Sequence, residues 1–311
     1  MRSVRSLPAS VAGVFDEITA CHLSPEGDYL VFDRRAHSVY TVPRGGGAPR
    51  KIVQIGGEPG RILQPSAFDS AVNNGTFVVA DIPSGRARIQ FFFYMGQSVG
   101  GFFLAGRPGP QVTIGVLVLG GIASIEYTGR SILLNQPESG TLVTEYGTDG
   151  HVIRTFGNVR ATGQERDRAV HLALNAGIPI VNPAGGYYFL FVSGVPLFRK
   201  YDAAGKLVFE RHVEGTEMDD YVRSVPTVWP KRPEGGQEMP LVSPAIRTAA
   251  ADPDGNLWIS LTAPFTYVYD AAGNKRRTIR FTAAGTLMPT NFFFTADRRV
   301  LVAPGCYQFA R

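Results

Sequence analysis

Short apolar runs, each opened by a turn and closed by polar positions, recur along the whole chain. Gly27-Asp28 leads into Tyr29-Leu30-Val31-Phe32, and Gly75 into Thr76-Phe77-Val78-Val79-Ala80-Asp81. Gly129-Arg130 precedes Ser131-Ile132-Leu133-Leu134, and Gly185-Gly186 precedes Tyr187-Tyr188-Phe189-Leu190-Phe191. The fifth copy is Asp252-Pro253-Asp254-Gly255-Asn256-Leu257-Trp258-Ile259, and the sixth is Asp297-Arg298-Arg299-Val300-Leu301-Val302. Apolar runs of this length between Gly and Asp turns are the pattern of short buried strands.

A second feature keeps phase with the first. In five units an apolar residue stands four positions before a glycine: Val42/Gly46, Phe92/Gly96, Tyr146/Gly150, Tyr201/Gly205 and Tyr269/Gly273. The separations between first and second glycines are 19, 21, 21, 20 and 18 residues. Glycine there supplies the positive φ that hairpin turns need. A further strand follows each second turn (51–55, 151–156, 206–211, 276–281), and another precedes each first turn, as at Ala249-Ala250-Ala251. Four strands per unit of roughly fifty residues, repeated, predict blades that bury their faces against neighbours. The chain therefore reads as all-β, one β-propeller domain over 1–311, of six four-stranded antiparallel blades. The sixth unit is short, ending at Cys306 to Phe309, and Val11 to Ile18 is expected to close the ring as its outer strand.

Pro65 through Gly96 and Asp252 through Gly273 carry the repeat best, and there the chain resembles NHL-type and other six-bladed propellers. The resemblance covers most of 20–311 and implies architecture. Some propellers of this kind are calcium-dependent lactonases or metal-dependent lyases, and some bind RNA. Fold does not fix function.

Two inserts break the period. Val159 to Ala176 contains Gln164 to Leu174, rich in helix formers and predicted to be one short helix. Val213 to Pro244 is acidic at first, then carries Trp229-Pro230-Lys231-Arg232-Pro233 and Glu234-Gly235-Gly236. Long loops on a rigid scaffold carry binding disproportionately. Tyr221, Trp229, Lys231 and Arg232 are its candidate contact residues, and Tyr221 and Trp229 could equally anchor it to the ring.

Composition agrees with the fold: Gly (36) and Pro (22) punctuate many short strands, and 44% hydrophobic residues suffice for a large core. The formal net charge is +5, but basic residues are scattered, so a nucleic-acid surface is disfavoured. Arg2, Arg5 and the short apolar stretch from Val11 make a poor leader, and Val112 to Ile125 is Gly-interrupted and too short to span a bilayer. No membrane span is expected. A periplasmic or secreted location is favoured if a leader has been removed.

The five histidines form no metal-binding spacing, and only His22 falls on an innermost strand. No GxSxG occurs, and Gly45-Gly46-Gly47 lies in a hairpin between Pro43 and Pro49, with no helix to make a phosphate loop. Cys21 and His22 are neighbours on one strand and point to opposite faces, which argues against a dyad. Asp69, Glu126, Asn182 and Asn291 have inner-strand placement and could offer oxygen ligands to a hard cation, Ca²⁺ first. If the ring closes as expected, Cys21 and Cys306 lie near its seam, either as a disulfide or as free buried thiols; the disulfide would require an oxidising compartment. The function expected first is a non-catalytic scaffold binding a protein or peptide, with a small molecule as the other ligand class. The alternative is a metal-dependent hydrolase or lyase with a channel cation. No other cofactor is expected, and the chain is expected to be monomeric.

Overall fold

The computed structural model describes residues 1–105, 112–114, 117–119, 124–234 and 237–311. Much of the Val112–Ile125 run and the Gly235-Gly236 pair lie outside the described residues. The fold is a six-bladed all-β propeller. Blade 1 comprises Ile18–Leu23, Tyr29–Asp33, Ser38–Val42 and Arg50–Val53, hydrogen-bonded in chain order from the inner strand outward. Blades 2 to 5 repeat this antiparallel order, their inner strands being Ala67–Ala71, Glu126–Tyr127, Gly177–Val181 and Ile246–Ala251. Blade 6 has three strands, Asn291–Phe294, Arg299–Ala303 and Tyr307–Ala310.

The second strand of each blade is apolar on both sides because both sides are covered. In blade 4, Tyr188 and Leu190 face blade 5 and pack with Ile259 and Tyr267. Phe189 and Phe191, one residue out of phase, face blade 3 and pack with Leu133 and Leu142. Every seam has an apolar cluster of this kind, from Leu30 with Phe77 between blades 1 and 2 to Val31 with Leu301 between blades 1 and 6. A period of two with both faces buried gives a continuous apolar run rather than alternation.

The recurring turns have a side-chain cause. Asp202 and Asp270 each accept two backbone N–H groups of their own turn, from Ala204 and Lys206 and from Ala272 and Asn274. Gly205 and Gly273 complete those turns at φ of 81° and 83°. Asp252 makes the same turn one hairpin earlier in blade 5, and its second carboxylate oxygen accepts the Trp258 indole N–H at 3.0 Å.

The ring is tied at its seam by the first residues, and not by Val11 to Ile18 as expected. The Val4 N–H donates to the Gln308 carbonyl and the Gln308 N–H to the Arg5 carbonyl, each at 2.8 Å, along the free edge of blade 6. Ala9–Ala12 is a helical turn begun by Pro8, and Ile18 already belongs to the inner strand of blade 1. The apolar residues Leu7 and Val11 cap the seam cluster from that turn instead of alternating along a strand. Cys21 and Cys306 meet in the same cluster as a disulfide.

The two inserts pack on each other. The helix runs over Arg168–Leu174, later than the composition suggests, because the Asp167 side chain caps it by accepting the Val170 N–H. Val170 and Leu174 meet Trp229 and Val242 of the second insert. Among the described residues no helix is long and apolar enough to cross a membrane.

Candidate functional site

The inner strands surround a central channel made of two chambers. One, of about 400 Å³, opens where inner strands begin and inter-blade connections lie, and is lined by Glu17, Ser66, Ile178, Arg247 and Thr290, among others. The other, of about 390 Å³, opens at the opposite face, where inner strands end, and is lined by His22, Ser70, Thr128 and Pro183 among others. Asp69, Glu126, Ala250 and Phe292 line both chambers and so mark the waist.

The acidic residues at the waist also hold neighbouring blades together. Asp69 of blade 2 accepts the Tyr127 N–H of blade 3 at 2.6 Å, and its other oxygen accepts the Ser70 N–H at 2.8 Å. Glu126 of blade 3 accepts the Val181 N–H of blade 4 at 2.9 Å. Asn291 of blade 6 accepts the Cys21 N–H of blade 1 at 3.4 Å, a longer contact of the same kind. Inner-strand N–H groups facing a channel lack a ladder partner on that side, and these side chains supply one.

Burial dominates the protonation of the waist. It raises Asp69 from its ordinary 3.8 to about 7, against the pull of the two N–H donors. It raises Glu126 well above the usual carboxylate range, and the neighbouring Asp69 charge raises it further. The Asp69 side chain is 20% exposed, and that surface opens onto the channel. Two carboxyls that disfavour each other's ionisation hold at least one proton between them near neutral pH.

His22 stands beside this pair. Its ring is stacked on Phe293 at 4.6 Å between centroids and meets Phe68 edge-on at 5.2 Å. That apolar enclosure lowers its pKa from 6.5 to about 3, partly offset by the Asn291 side chain, so the ring is neutral. Nδ1 shares a 2.6 Å hydrogen bond with the Ser70 hydroxyl and lies 3.9 Å from Asp69. In a serine triad the hydroxyl and the carboxylate use different ring nitrogens. Here both face Nδ1, and the Ser70 N–H is already bound to Asp69, so the cluster lacks a triad's geometry.

At the opposite end, Glu17 and Arg34 form a two-pronged ion pair with contacts of 2.5 and 3.2 Å. Arg247 lines the same chamber, is exposed, and has no hydrogen-bond or ion-pair partner among the described residues.

Of the four oxygen-ligand candidates, Asp69, Glu126 and Asn291 reach the channel wall. Asn182 does not: its side chain accepts the Ala184 N–H inside a turn. No group of three or more His, Cys, Asp or Glu side chains suited to a metal ion occurs among the described residues. In the second insert, Trp229 is buried, Lys231 pairs with Asp167 at 2.5 Å, and the Tyr221 hydroxyl donates to the Ser243 carbonyl. Arg232 lies in the insert's hairpin, Lys231–Glu234 paired with Gln237–Pro240. These contacts lie within and between the two inserts, and Tyr221 also packs against the apolar cluster between blades 4 and 5. Sequence reading missed Ser70 and Arg247. Both flank recognised inner-strand positions, and only the ring brings them into the channel.

The chain is thus a six-bladed propeller with a two-chambered axial channel pinched at a carboxyl pair. No family model and no curated protein sequence matches it. Solved structures match its fold over nearly the whole length. A gluconolactonase from Xanthomonas campestris is 14% identical, with 98% of this chain and 92% of that chain covered and a TM-score of 0.54. A catalytically inactive virginiamycin B lyase from Staphylococcus aureus with quinupristin is 8% identical, with coverage of 98% and 87% and a TM-score of 0.53. Hydrazine synthase from Kuenenia stuttgartiensis is 12% identical, with coverage of 94% and 93% and a TM-score of 0.51. At such identities the likeness is one of fold alone.

Proposed function

We propose that the protein is a scaffold that binds a small polar molecule in its central channel, with the ligand's inner end hydrogen-bonded to the Asp69–Glu126 pair. The observation that carries this reading is the waist itself. A chamber of about 400 Å³ with aromatic walls ends on two buried carboxyls, at least one of which keeps a proton. Ligand sites are typically concave, mostly apolar, and furnished with a few convergent polar groups. A protonated and an ionised carboxyl together offer one donor and several acceptors, which suits a hydroxyl, amide or carboxyl group. The insert face, with its exposed surface, is the place for a protein or peptide partner, but its largest side chain and Lys231 are engaged internally.

A second reading is favoured by the Asp69 pKa near 7, the range useful for proton transfer. On that reading the channel is the active site of a hydrolase or lyase, in which Asp69 and Glu126 would be the residues to hold a hard cation. The gluconolactonase and lyase among the fold neighbours are in keeping with it, at the level of fold.

The test is a melting screen of the full chain against a panel of small polar metabolites, with calcium chloride alone in parallel. Thr248, on the inner strand of blade 5, lines the chamber of about 400 Å³, so stabilisation by a metabolite that Thr248→Trp abolishes, by filling the chamber, supports the channel scaffold. Stabilisation by calcium alone, lost in Asp69→Asn/Glu126→Gln, would replace it with the metal-dependent enzyme. A response to neither would discard the channel as the site.

A further inference from the structure

The chamber on the insert side has an uneven charge balance. Its charged lining residues among those described are Glu17, Arg34, Asp69, Glu126 and Arg247. Glu17 and Arg34 neutralise each other through two contacts. Each Asp69 oxygen accepts one backbone N–H and keeps a further acceptor site, and Glu126 uses one oxygen on Val181. Asp69 and Glu126 stand together at the inner end of the chamber, so its acidic groups lie at the waist, away from the mouth. Arg247 at the other end has no acidic partner among the described residues. The rest of the lining is mixed, with Phe32, Phe68 and Phe292 beside hydroxyl residues such as Ser66, Thr248 and Thr290.

Resting on the channel-binding reading, we infer that the ligand is a small monoanion, a carboxylic acid with an apolar body and a polar far end, whose carboxylate pairs with Arg247 at the mouth while the far end meets Asp69 and Glu126 at the waist. A guanidinium matches a carboxylate with two parallel N–H bonds, which a neutral amide cannot return. The opposite orientation, carboxylate inward, would place an anion against the two carboxyls. A cationic ligand is disfavoured at the mouth by Arg247. The aromatic walls suit a ring or branched body.

The experiment uses matched probes on the intact chain: a set of small ring and branched acids, each paired with its own primary amide, beginning with 4-hydroxybenzoate and 4-hydroxybenzamide. Binding is read by calorimetry and by NMR line broadening of the ligand, for wild type, Arg247→Gln, Arg247→Lys and Thr248→Trp. The expected result is that acids bind at least tenfold tighter than their amides. Arg247→Gln removes that preference, Arg247→Lys restores part of it, and Thr248→Trp abolishes binding of both. Melting midpoints of the three variants confirm that they are folded. If amides bind as tightly as acids in a manner that Thr248→Trp abolishes, the channel is the site and the anionic class is wrong. If binding survives Thr248→Trp, or no member of the set binds, the channel reading falls and this inference with it.

Discussion

Cys21, in the inner strand of blade 1, is disulfide-bonded to Cys306, in a turn of blade 6, across a sequence separation of 285 residues. Both are fully buried in the apolar seam that closes the ring. The bond therefore acts as a lock on the one seam where the chain does not run continuously from blade to blade.

Breaking that lock frees nearly the whole chain in the unfolded state. Cys21→Ala/Cys306→Ala is expected to lose about 3–5 kcal/mol in the loop-entropy view. The check is a denaturation midpoint for wild type with and without reductant, beside the double variant. If reductant and the double substitution both leave the midpoint unmoved, the seam is held by packing and the N-terminal segment alone.

That segment gives a separate prediction. Residues 1–5 make backbone bonds to Gln308 on the edge of blade 6 and to Thr282 in the short hairpin before it. Removing residues 1–6 should lower stability by about 2–6 kcal/mol, in line with four lost backbone hydrogen bonds at about 0.5–1.5 kcal/mol each. Hydrogen exchange should then quicken first at Gln308 and Phe309. Uniform quickening across all six blades would argue that the segment acts elsewhere.

Asp81 and Arg88 form a fully buried ion pair in blade 2, with contacts of 2.6 and 2.9 Å. Arg88 also donates to the carbonyls of Gly57 and Arg61, and Asp81 accepts the Leu63 N–H. The pair thus staples the 54–66 connection onto its blade. Asp81→Ala would strand a buried guanidinium and should cost about 3–5 kcal/mol. A loss below 1 kcal/mol by chemical denaturation would mean that water reaches the arginine.

The waist predicts how stability depends on pH. Asp69 has a folded pKa near 7, above its ordinary 3.8, so the folded state holds its proton more tightly. The stability linked to it is present at low pH and is lost as pH rises from about 4 through 7. His22, held at about 3 rather than 6.5, works in the opposite direction: its contribution is present above 6.5 and is lost as pH falls toward 3. The two windows overlap, so the opposed slopes largely cancel between about pH 4 and 6.5 and leave a plateau there. Glu126→Gln keeps an acceptor for the Val181 N–H and removes a carboxyl whose ionisation burial and the Asp69 charge oppose. It should exceed wild type in stability at pH 8, with a smaller gap at pH 5. His22→Gln should flatten the acid limb. Parallel stability curves for wild type and Glu126→Gln between pH 5 and 8 would show that the two carboxyls do not interact.

The sequence by itself determined the ring. Tyr188 and Phe189 are adjacent aromatics in a run flanked by glycine turns, and such a run is stable only where both strand faces are covered. Repeated six times in phase, it leaves a propeller as the simple solution. Local signals were legible in the same way: Asp202, Asp270 and Asp252 specify their turns within five residues, and the alternation of strand side chains separates Cys21 from His22. Only the tertiary structure decided what happens at the axis and the seam. Whether an inner-strand carboxyl points at metal, ligand or a neighbour's N–H depends on which strand lies beside it, and Asp69 meets Tyr127 while Asn182 turns back on its own loop. The closing segment was misplaced for a related reason. Leu7 and Val11 suit a strand or a helical turn equally well, and the choice falls to the shape of the apolar seam formed by Val31, Leu301 and the disulfide. The channel's charge balance came from the same source, since Arg34 finds Glu17 and Arg247 finds no partner among the described residues only once six blades have closed around one axis.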